Sequence, residues 1–192
     1  MSAASVPNAL SVFRIAAAPA LVGLAIAGRD QAFLVLFVVS ALSDMADGNL
    51  ARLLKQQSSL GAQLDTVGDF FTWIATPIAL YYLIPELIRP ELPLFVIGSA
   101  ARIVSAAASF SKYRRVALYH TWSAKTVGAL LSVGVVSLVV LDWAWPFRIG
   151  AAVLLITAIE ELIITGILPT CHANVATPWH ARRIVADLNS AR

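Results

Sequence analysis

Apolar residues form long runs along this chain, separated by short polar stretches. A bilayer core of about 30 Å takes about 20 helical residues, so runs of this length predict membrane-spanning helices. Six such segments cover roughly residues 8–28, 31–54, 60–84, 92–111, 123–143 and 147–168. The runs do not alternate in polarity, which favours helices over barrel strands. The pattern therefore predicts an all-α, six-helix membrane domain over residues 1–170 and a short polar tail over 171–192.

Composition supports a membrane protein. The chain has 192 residues, of which 59% are hydrophobic and 13% are charged, whereas about a quarter of the residues in a soluble domain are charged. A buried soluble core is the alternative, but too many segments approach spanning length for a chain of this size. The first apolar segment starts near Ala9, contains Arg14 and lacks a basic leader, so we expect a retained helix rather than a cleaved signal peptide. The single cysteine, Cys171, cannot form an internal disulfide.

The basic residues predict an orientation. A cytoplasmic N-terminus puts Arg29, Arg89 and Arg148 outside and Arg102 within a span, and every other lysine and arginine at or near the inner side. This asymmetry fits the positive-inside rule. We expect both termini on the cytoplasmic side of the inner membrane. In the tail, the segment PWHARRIVADL predicts either a brief interfacial helix or a disordered end.

Four aspartates fall where the second and third apolar segments meet, in the stretch SDMADGNLARLLKQQSSLGAQLDTVGD. The apolar runs Ala32–Leu42 and Phe70–Ile84 are too short to cross a bilayer alone. The polar segments must complete these helices, which brings the carboxylates to the membrane edge, where an unpaired charge is costly. A compensating cation is therefore expected near the four residues, Asp44, Asp47, Asp65 and Asp69.

The spacing of these aspartates predicts a common site. Asp44 and Asp47 are i, i+3 neighbours on one helix, and Asp65 and Asp69 are i, i+4 neighbours on the next. A short connection makes the two helices antiparallel neighbours, so the four carboxylates can converge. Oxygen-only ligands suit Mg²⁺ or Mn²⁺, and four carboxylates are enough for two ions with shared ligands.

The residues between these aspartates predict a phosphate ligand. Gly48 and Ala51 leave a shallow surface on which a ligand could approach the helix closely. Arg52 supplies a guanidinium fork that is suited to phosphate. Together with a metal pair, these residues predict a nucleotide-diphosphate site.

The whole motif, Asp44-x-x-Asp47-Gly48-x-x-Ala51-Arg52 followed by eight residues and Gly61-x-x-x-Asp65-x-x-x-Asp69, resembles the signature of the CDP-alcohol phosphotransferase family at every fixed position. The opening PNALSVFRIAAAP and the six predicted spans are also similar to members of this family. Beyond Asp69 the resemblance is mostly architectural.

The resemblance implies a role for each matching residue. The four aspartates would bind two divalent cations, Mg²⁺ or Mn²⁺, and Asp69 would also be the general base. The CDP moiety would be bound by Gly48, Ala51, Arg52 and Gly61. The family transfers a substituted phosphoryl group from a CDP-linked donor to an alcohol and releases CMP. The implied partners are CDP-diacylglycerol, an alcohol, the bilayer and a second copy in a homodimer, with no nucleic acid.

The acceptor residues are less clearly marked. Arg102 lies in an apolar span and is a functional candidate on that ground. A basic group at the predicted inner end of spans four and five could hold the phosphate of glycerol 3-phosphate or inositol phosphate, or could contact anionic lipid headgroups; its members are Lys112, Arg114, Arg115 and Lys125. Glycerophosphate-using members tend to carry Glu, Arg and Lys at the positions of Ile103, Ser109 and Ser123. These departures leave the acceptor open.

Further features also have alternative interpretations. Glu160 and Glu161 could contact a polar acceptor, pair with Arg102, or lie at a helix interface. Gly128 and Gly134 are further candidates for a helix interface. Among functions, transfer from a CDP-amino-alcohol to diacylglycerol remains open. A cation transporter that uses the aspartates as an ion site is the alternative of a different class.

Overall fold

The computed structural model describes residues 6–53, 59–115, 117, 119, 121–170 and 175–190, and it describes side chains in these ranges except at 6, 7, 45–53, 59, 60, 62, 125 and 188–190. All regular secondary structure in these ranges is helical, which confirms the predicted all-α class. The helices form two compact units, Met1–Arg89 and Pro90–Arg192.

The first unit contains α1 (Val6–Ile26), α2 (Asp30–Leu53), α3 (Ser59–Leu83) and the one-turn helix α4 (Pro85–Ile88). Helix α1 packs against both α2 and α3. Its buried face consists of mostly small residues at helical spacing, Ala17, Ala18, Leu21 and Ala25, so neighbouring helices can approach it. Gly28 turns the chain between α1 and α2 at a φ of +63°, a left-handed conformation that glycine adopts without strain.

Helices α1 and α3 approach closely at Gly68. A Cβ atom placed there would lie 3.3 Å from the carbonyl oxygen of Ser11 and 3.4 Å from Cβ of Arg14. The missing side chain therefore lets the backbone of α3 lie next to Arg14, one residue before Asp69.

The second unit contains α5 (Leu92–Tyr113), α6 (Trp122–Leu141), α7 (Trp145–Ile167) and α8 (Pro178–Ser190). Helix α7 packs against the other three. Glycines bring these helices together: a Cβ atom on Gly98 would lie 3.0 Å from Leu154, and one on Gly134 would lie 2.5 Å from Cα of Phe147. Close backbone approach of this kind is common where helices pack within membranes.

Polar contacts define the turns of this unit. The Thr121 hydroxyl caps α6 by accepting a hydrogen bond from the Ala124 N–H at 3.2 Å. Between α6 and α7, Asp142 adopts a φ of 50° and Ser137 Oγ donates to the Trp143 carbonyl at 2.9 Å. At the same end, Arg148 Nε donates to Glu91 Oε2 at 2.9 Å and so ties α7 to the residue that precedes α5.

The predicted tail contains a helix, α8, and the location of this helix at a membrane interface stays a prediction. Val175 and Ala181 are buried in a cluster with Tyr119, Ile164 and Leu168. The opposite side of α8 is exposed, and there the Arg182 guanidinium lies 5.5 Å from the Trp179 ring centroid. Residue Cys171 lies outside the described residues.

Within the described residues, four helical segments are long and apolar enough to cross a membrane: Asn8–Ile26, Leu92–Tyr113, Trp122–Leu141 and Trp145–Ile167. They correspond to the first, fourth, fifth and sixth predicted spans. Helices α2 and α3 have 24 and 25 residues, or about 36 Å each, but the aspartates interrupt their apolar character. The six-span count therefore depends on these two helices and stays a prediction.

Candidate functional site

Three of the predicted metal ligands lie together in the first unit. Asp44 comes from α2, and Asp65 and Asp69 come from adjacent turns of one face of α3. Each offers one carboxylate oxygen, and these oxygens all lie within 4.8 Å of one another. The three side chains are 50%, 43% and 55% exposed, respectively. They form an acidic cluster that is partly exposed.

A fourth side chain in this cluster, Arg14 of α1, was not among the predicted site residues. Its Nη1 atom donates to Asp44 and to Asp69, and its Nη2 atom donates to Asp65. The arginine side chain is only 2% exposed. The sequence does contain a signal for it, because a charge within an apolar segment needs a partner. The partners themselves are 30 to 55 positions away.

The other signature residues are described in part. The side chains of Asp47, Gly48, Ala51 and Arg52 lie outside the described residues, although the backbone of α2 is helical through all four positions. On that backbone, Asp47 and Gly48 follow Asp44 by three and four positions and share its face. Gly61 is half-buried in the first turn of α3. The predicted CDP-binding roles stay predictions.

The acidic cluster fits a divalent cation. Its described donors are carboxylate oxygens from two helices, which suit hard ions such as Mg²⁺ or Mn²⁺. Three carboxylates against one guanidinium leave a net negative charge, and the exposed side of the cluster gives an ion access.

A second group of polar side chains lies on α5, α6 and α7 in the other unit. Arg102 Nη1 donates to Glu161 Oε1 at 2.7 Å, and Ser105 Oγ donates to Glu161 Oε2 at 3.2 Å. Ser123 Oγ donates to Glu160. Of the alternatives open for Glu161, the structure therefore contains the pair with Arg102.

The predicted acceptor residues occupy different places. Lys112 Nζ donates to the Thr165 carbonyl at 2.7 Å, at the C-terminal end of α7, where a positive charge is favourable. Arg114 ends α5 in a left-handed conformation, and both it and Arg115 are exposed. Arg102 lies about 18 Å from Arg114 along the helix axis. The side chain of Lys125 lies outside the described residues.

The profile of the family described as CDP-alcohol phosphatidyltransferase matches residues 4–174. The chain belongs to this family. Its apolar helices and its family together identify it as a multi-pass membrane protein. Members of the family depend on divalent metal ions, in agreement with the acidic cluster.

Curated relatives within the family act on different alcohols. A CDP-diacylglycerol--glycerol-3-phosphate 3-phosphatidyltransferase from Cereibacter sphaeroides is 35% identical over 144 residues, covering 68% of this chain and 64% of that protein. A CDP-diacylglycerol--serine O-phosphatidyltransferase from Mycobacterium tuberculosis is 31% identical over 77 residues, 40% of this chain and 27% of that protein. A human cardiolipin synthase (CMP-forming) is 32% identical over 111 residues, which cover 57% of this chain and 36% of that protein.

In each case the match spans less than two thirds of the relative's length. No solved structure significantly matches this chain. Because two of the names specify different acceptors, glycerol 3-phosphate and serine, similarity to these relatives does not select the alcohol.

Proposed function

We propose that this chain is a membrane-embedded enzyme of phospholipid synthesis that transfers a phosphatidyl group from CDP-diacylglycerol to an alcohol and releases CMP. The observation that carries the proposal is the convergence of Asp44, Asp65 and Asp69 in a member of this family, with ligand oxygens within 4.8 Å of one another. The names of the relatives support CDP-diacylglycerol as the donor. Transfer from a CDP-amino-alcohol to diacylglycerol is the alternative, and the assay below separates the two.

The donor would bind through its diphosphate. Two divalent cations, Mg²⁺ or Mn²⁺, held by Asp44, Asp47, Asp65 and Asp69, would neutralise the diphosphate and stabilise the leaving CMP. Arg52 would bind a phosphate oxygen through its guanidinium fork. The signature's small residues would leave room for the nucleotide beside the helices; they are Gly48, Ala51 and Gly61.

The transfer itself requires one base. The acceptor oxygen attacks the phosphorus that carries the diacylglycerol, and the bond from this phosphorus to the CMP oxygen breaks, with its electron pair leaving on CMP. Asp69 would take the proton of the acceptor hydroxyl on a carboxylate oxygen. Its position on α3 agrees with this role, because it lies in the acidic cluster and its side chain is 55% exposed.

The acceptor is proposed to be an alcohol such as a phosphorylated polyol, glycerol 3-phosphate or inositol phosphate. Two sets of residues could bind its phosphate, Arg102 or the group Arg114, Arg115 and Lys125. Arg102 and Arg114 are about 18 Å apart along α5, so we expect one phosphate to contact one of these two arginines and not both. Alanine substitution of the residues that bind the phosphate should raise the KM for the acceptor, whereas alanine substitution of the other residues should leave this KM unchanged.

The function is tested by CMP release from purified protein supplied with CDP-diacylglycerol and a panel of alcohols that includes glycerol 3-phosphate, inositol phosphate and serine. We expect CMP with at least one alcohol, loss of CMP release with EDTA, and recovery with Mg²⁺ or Mn²⁺. CMP formed only from CDP-choline or CDP-ethanolamine and diacylglycerol would favour the alternative. Full activity after exhaustive chelation would contradict the metal site.

Membrane topology, cellular location and oligomeric state are also part of the proposed function. We propose six membrane spans with both termini in the cytoplasm, in the inner membrane, with the acidic cluster accessible from the cytoplasmic side. A lipid donor could then keep its tails in the bilayer while its head reaches the aspartates. We also propose a homodimer, and a monomer in native mass spectrometry from lipid nanodiscs would contradict it.

A further inference from the structure

Arg14 places a fixed positive charge inside the acidic cluster. We infer that this arginine is a resident counter-cation, a positioning residue that holds Asp44, Asp65 and Asp69 together and lowers their affinity for a divalent ion. The inference concerns this chain's own residues and rests on the proposed function for the identity of the cluster as a metal site.

The arginine cannot easily leave the cluster. Its side chain is 2% exposed, and its backbone is held against α3 by the close approach at Gly68, where a Cβ atom would lie 3.4 Å from Cβ of Arg14. Removal of the guanidinium from the carboxylates would require α1 to move away from α3. The positive charge is therefore a permanent part of the buried side of the cluster.

A divalent ion would enter from the other side. The three carboxylates are each about half exposed, whereas the guanidinium is buried beneath them. Each carboxylate can bond to the arginine through one lone pair and still present others to an ion, since an ionised carboxyl group has about four acceptor positions. Arginine and ion would thus share the same carboxylates from opposite sides.

Two opposing effects follow from this sharing. The guanidinium reduces repulsion among the carboxylates, which keeps the ligands in place and favours ion binding. It also repels the incoming cation at a short distance, which weakens ion binding. The ligands come from helices that are already packed together through α1 and Gly68, so their spacing depends only partly on the arginine. The repulsion between the guanidinium and the incoming cation is therefore expected to be the larger of the two effects.

The sign of the change in metal affinity tests the inference. Mn²⁺ binding to purified Arg14→Met in nanodiscs is measured by electron paramagnetic resonance of the free ion, and the melting temperature is measured in EDTA. We expect Mn²⁺ to bind about tenfold more tightly or better than to wild type, and the metal-free protein to melt at a lower temperature. Weaker or unchanged Mn²⁺ affinity would overturn the inference, because a purely structural arginine would allow the ligands to separate when it is removed.

Arg148→Met is the matched control. It also removes one positive charge and a contact with a carboxylate, that of Glu91, but Mn²⁺ affinity should stay at the wild-type value. A similar gain of affinity in this control would assign the effect to net charge and overturn the inference.

Arg14→Gln is the second variant, should Arg14→Met fail to fold even with Mn²⁺ present. The glutamine amide removes the charge but can still donate hydrogen bonds to the carboxylates, so we again expect Mn²⁺ to bind about tenfold more tightly than to wild type. Equal or weaker affinity in this variant would overturn the inference.

Failure of the inference and failure of the proposed function give different results. CMP release by wild type together with unchanged Mn²⁺ affinity in the Arg14 variants would overturn only the role of Arg14. A shift in Mn²⁺ affinity without CMP release from any donor would leave that role in place and contradict the transferase.

Discussion

Three arginines of the described helices, Arg14, Arg102 and Arg148, pair with carboxylates in different ratios. Arg102 contacts Glu161 and Arg148 contacts Glu91, and each pair compensates the charge that a membrane helix would otherwise expose. Arg14 contacts three carboxylates. The two one-to-one pairs are electrically balanced, whereas the three-to-one cluster keeps a net negative charge. Of these three sites, the Arg14 cluster is the one that calls for a further cation.

Asp69→Asn separates chemistry from donor binding. The amide keeps the size of the side chain but cannot take a proton from the acceptor, so kcat should fall by about 10²–10⁴-fold. Donor affinity should change little, because Asp44, Asp47 and Asp65 can still hold at least one ion. The measurements are turnover and CDP-diacylglycerol affinity by calorimetry.

Arg52→Ala is the contrasting variant for this prediction. It removes a proposed phosphate contact and should weaken donor binding by about 1.5–3 kcal/mol. Near-normal turnover of Asp69→Asn would show that Asp69 is not the base and that another carboxylate takes the proton of the acceptor hydroxyl.

The sequence predicted the acidic cluster, but it did not predict that Arg14 lies in this cluster. Asp44, Asp65 and Asp69 could be placed together because helical spacing and a short connection fix their positions within one hairpin. Arg14 could be identified as a charge that needs a partner. Its partners depend on how α1 packs against α3, which the small residue Gly68 permits and which no local pattern encodes.

At the scale of helices, glycine positions determine how closely the second unit packs. A Cβ atom at Gly134 would lie 2.5 Å from Cα of Phe147, whereas one at Gly128, on the same helix, would meet nothing within 4 Å. Gly134 therefore contributes to packing within the chain, and Gly128 is open to a partner or to lipid.

Gly134→Ala should separate α6 from α7. The added methyl group meets backbone rather than a flexible side chain, so we expect a loss of about 1–3 kcal/mol in stability, measured by SDS-induced unfolding in mixed micelles. Gly128→Ala is the control on the same helix and should be neutral or slightly stabilising. Equal effects of the two substitutions would show that α6 and α7 do not pack as described.

The Arg102–Glu161 pair connects α5 to α7 and predicts a second effect on stability. Glu161→Ala leaves Arg102 without this carboxylate. The expected loss is about 2 kcal/mol, below the 3–5 kcal/mol of a fully buried pair, because the Arg102 side chain is 37% exposed. The double variant Arg102→Met/Glu161→Leu should lose less, since it leaves no uncompensated charge. A double variant that is less stable than Glu161→Ala would contradict this, with SDS-induced unfolding again as the measurement.

Helices with uniform apolar runs were predicted within a few residues, because length and hydrophobicity alone define them. The predicted span 147–168 corresponds to α7, Trp145–Ile167. Shorter elements were not resolved from the sequence. Helix α4 is a single turn that begins at Pro85. Helix α8 is held by the burial of Ala181, and the chain just before it by the burial of Val175, both against distant residues. Neither helix depends on a local apolar run.

For the molecule as a whole, the central question is whether α2 and α3 cross the membrane. Asp44 lies nine residues before the end of α2, and Asp69 lies ten residues after the start of α3. These distances correspond to about 14–15 Å along each helix. If both helices cross, the cluster lies within the inner half of the bilayer, in reach of a donor whose tails stay among the lipids.

The side of the membrane on which residues 54–58 lie distinguishes the two topologies. With six spans, position 56 is cytoplasmic and position 29 is external. If α2 and α3 do not cross, both positions are external, and the membrane is crossed by the four described helices that are apolar throughout. In a Cys171→Ser background, Arg29→Cys should react with a membrane-impermeant maleimide in intact cells, and Gln56→Cys should react only after permeabilisation. Arg89→Cys is the external control and Arg182→Cys the internal one, because both topologies place them alike. Reaction of Gln56→Cys at the rate of Arg29→Cys would leave four spans and turn the open side of the aspartates away from the cytoplasm.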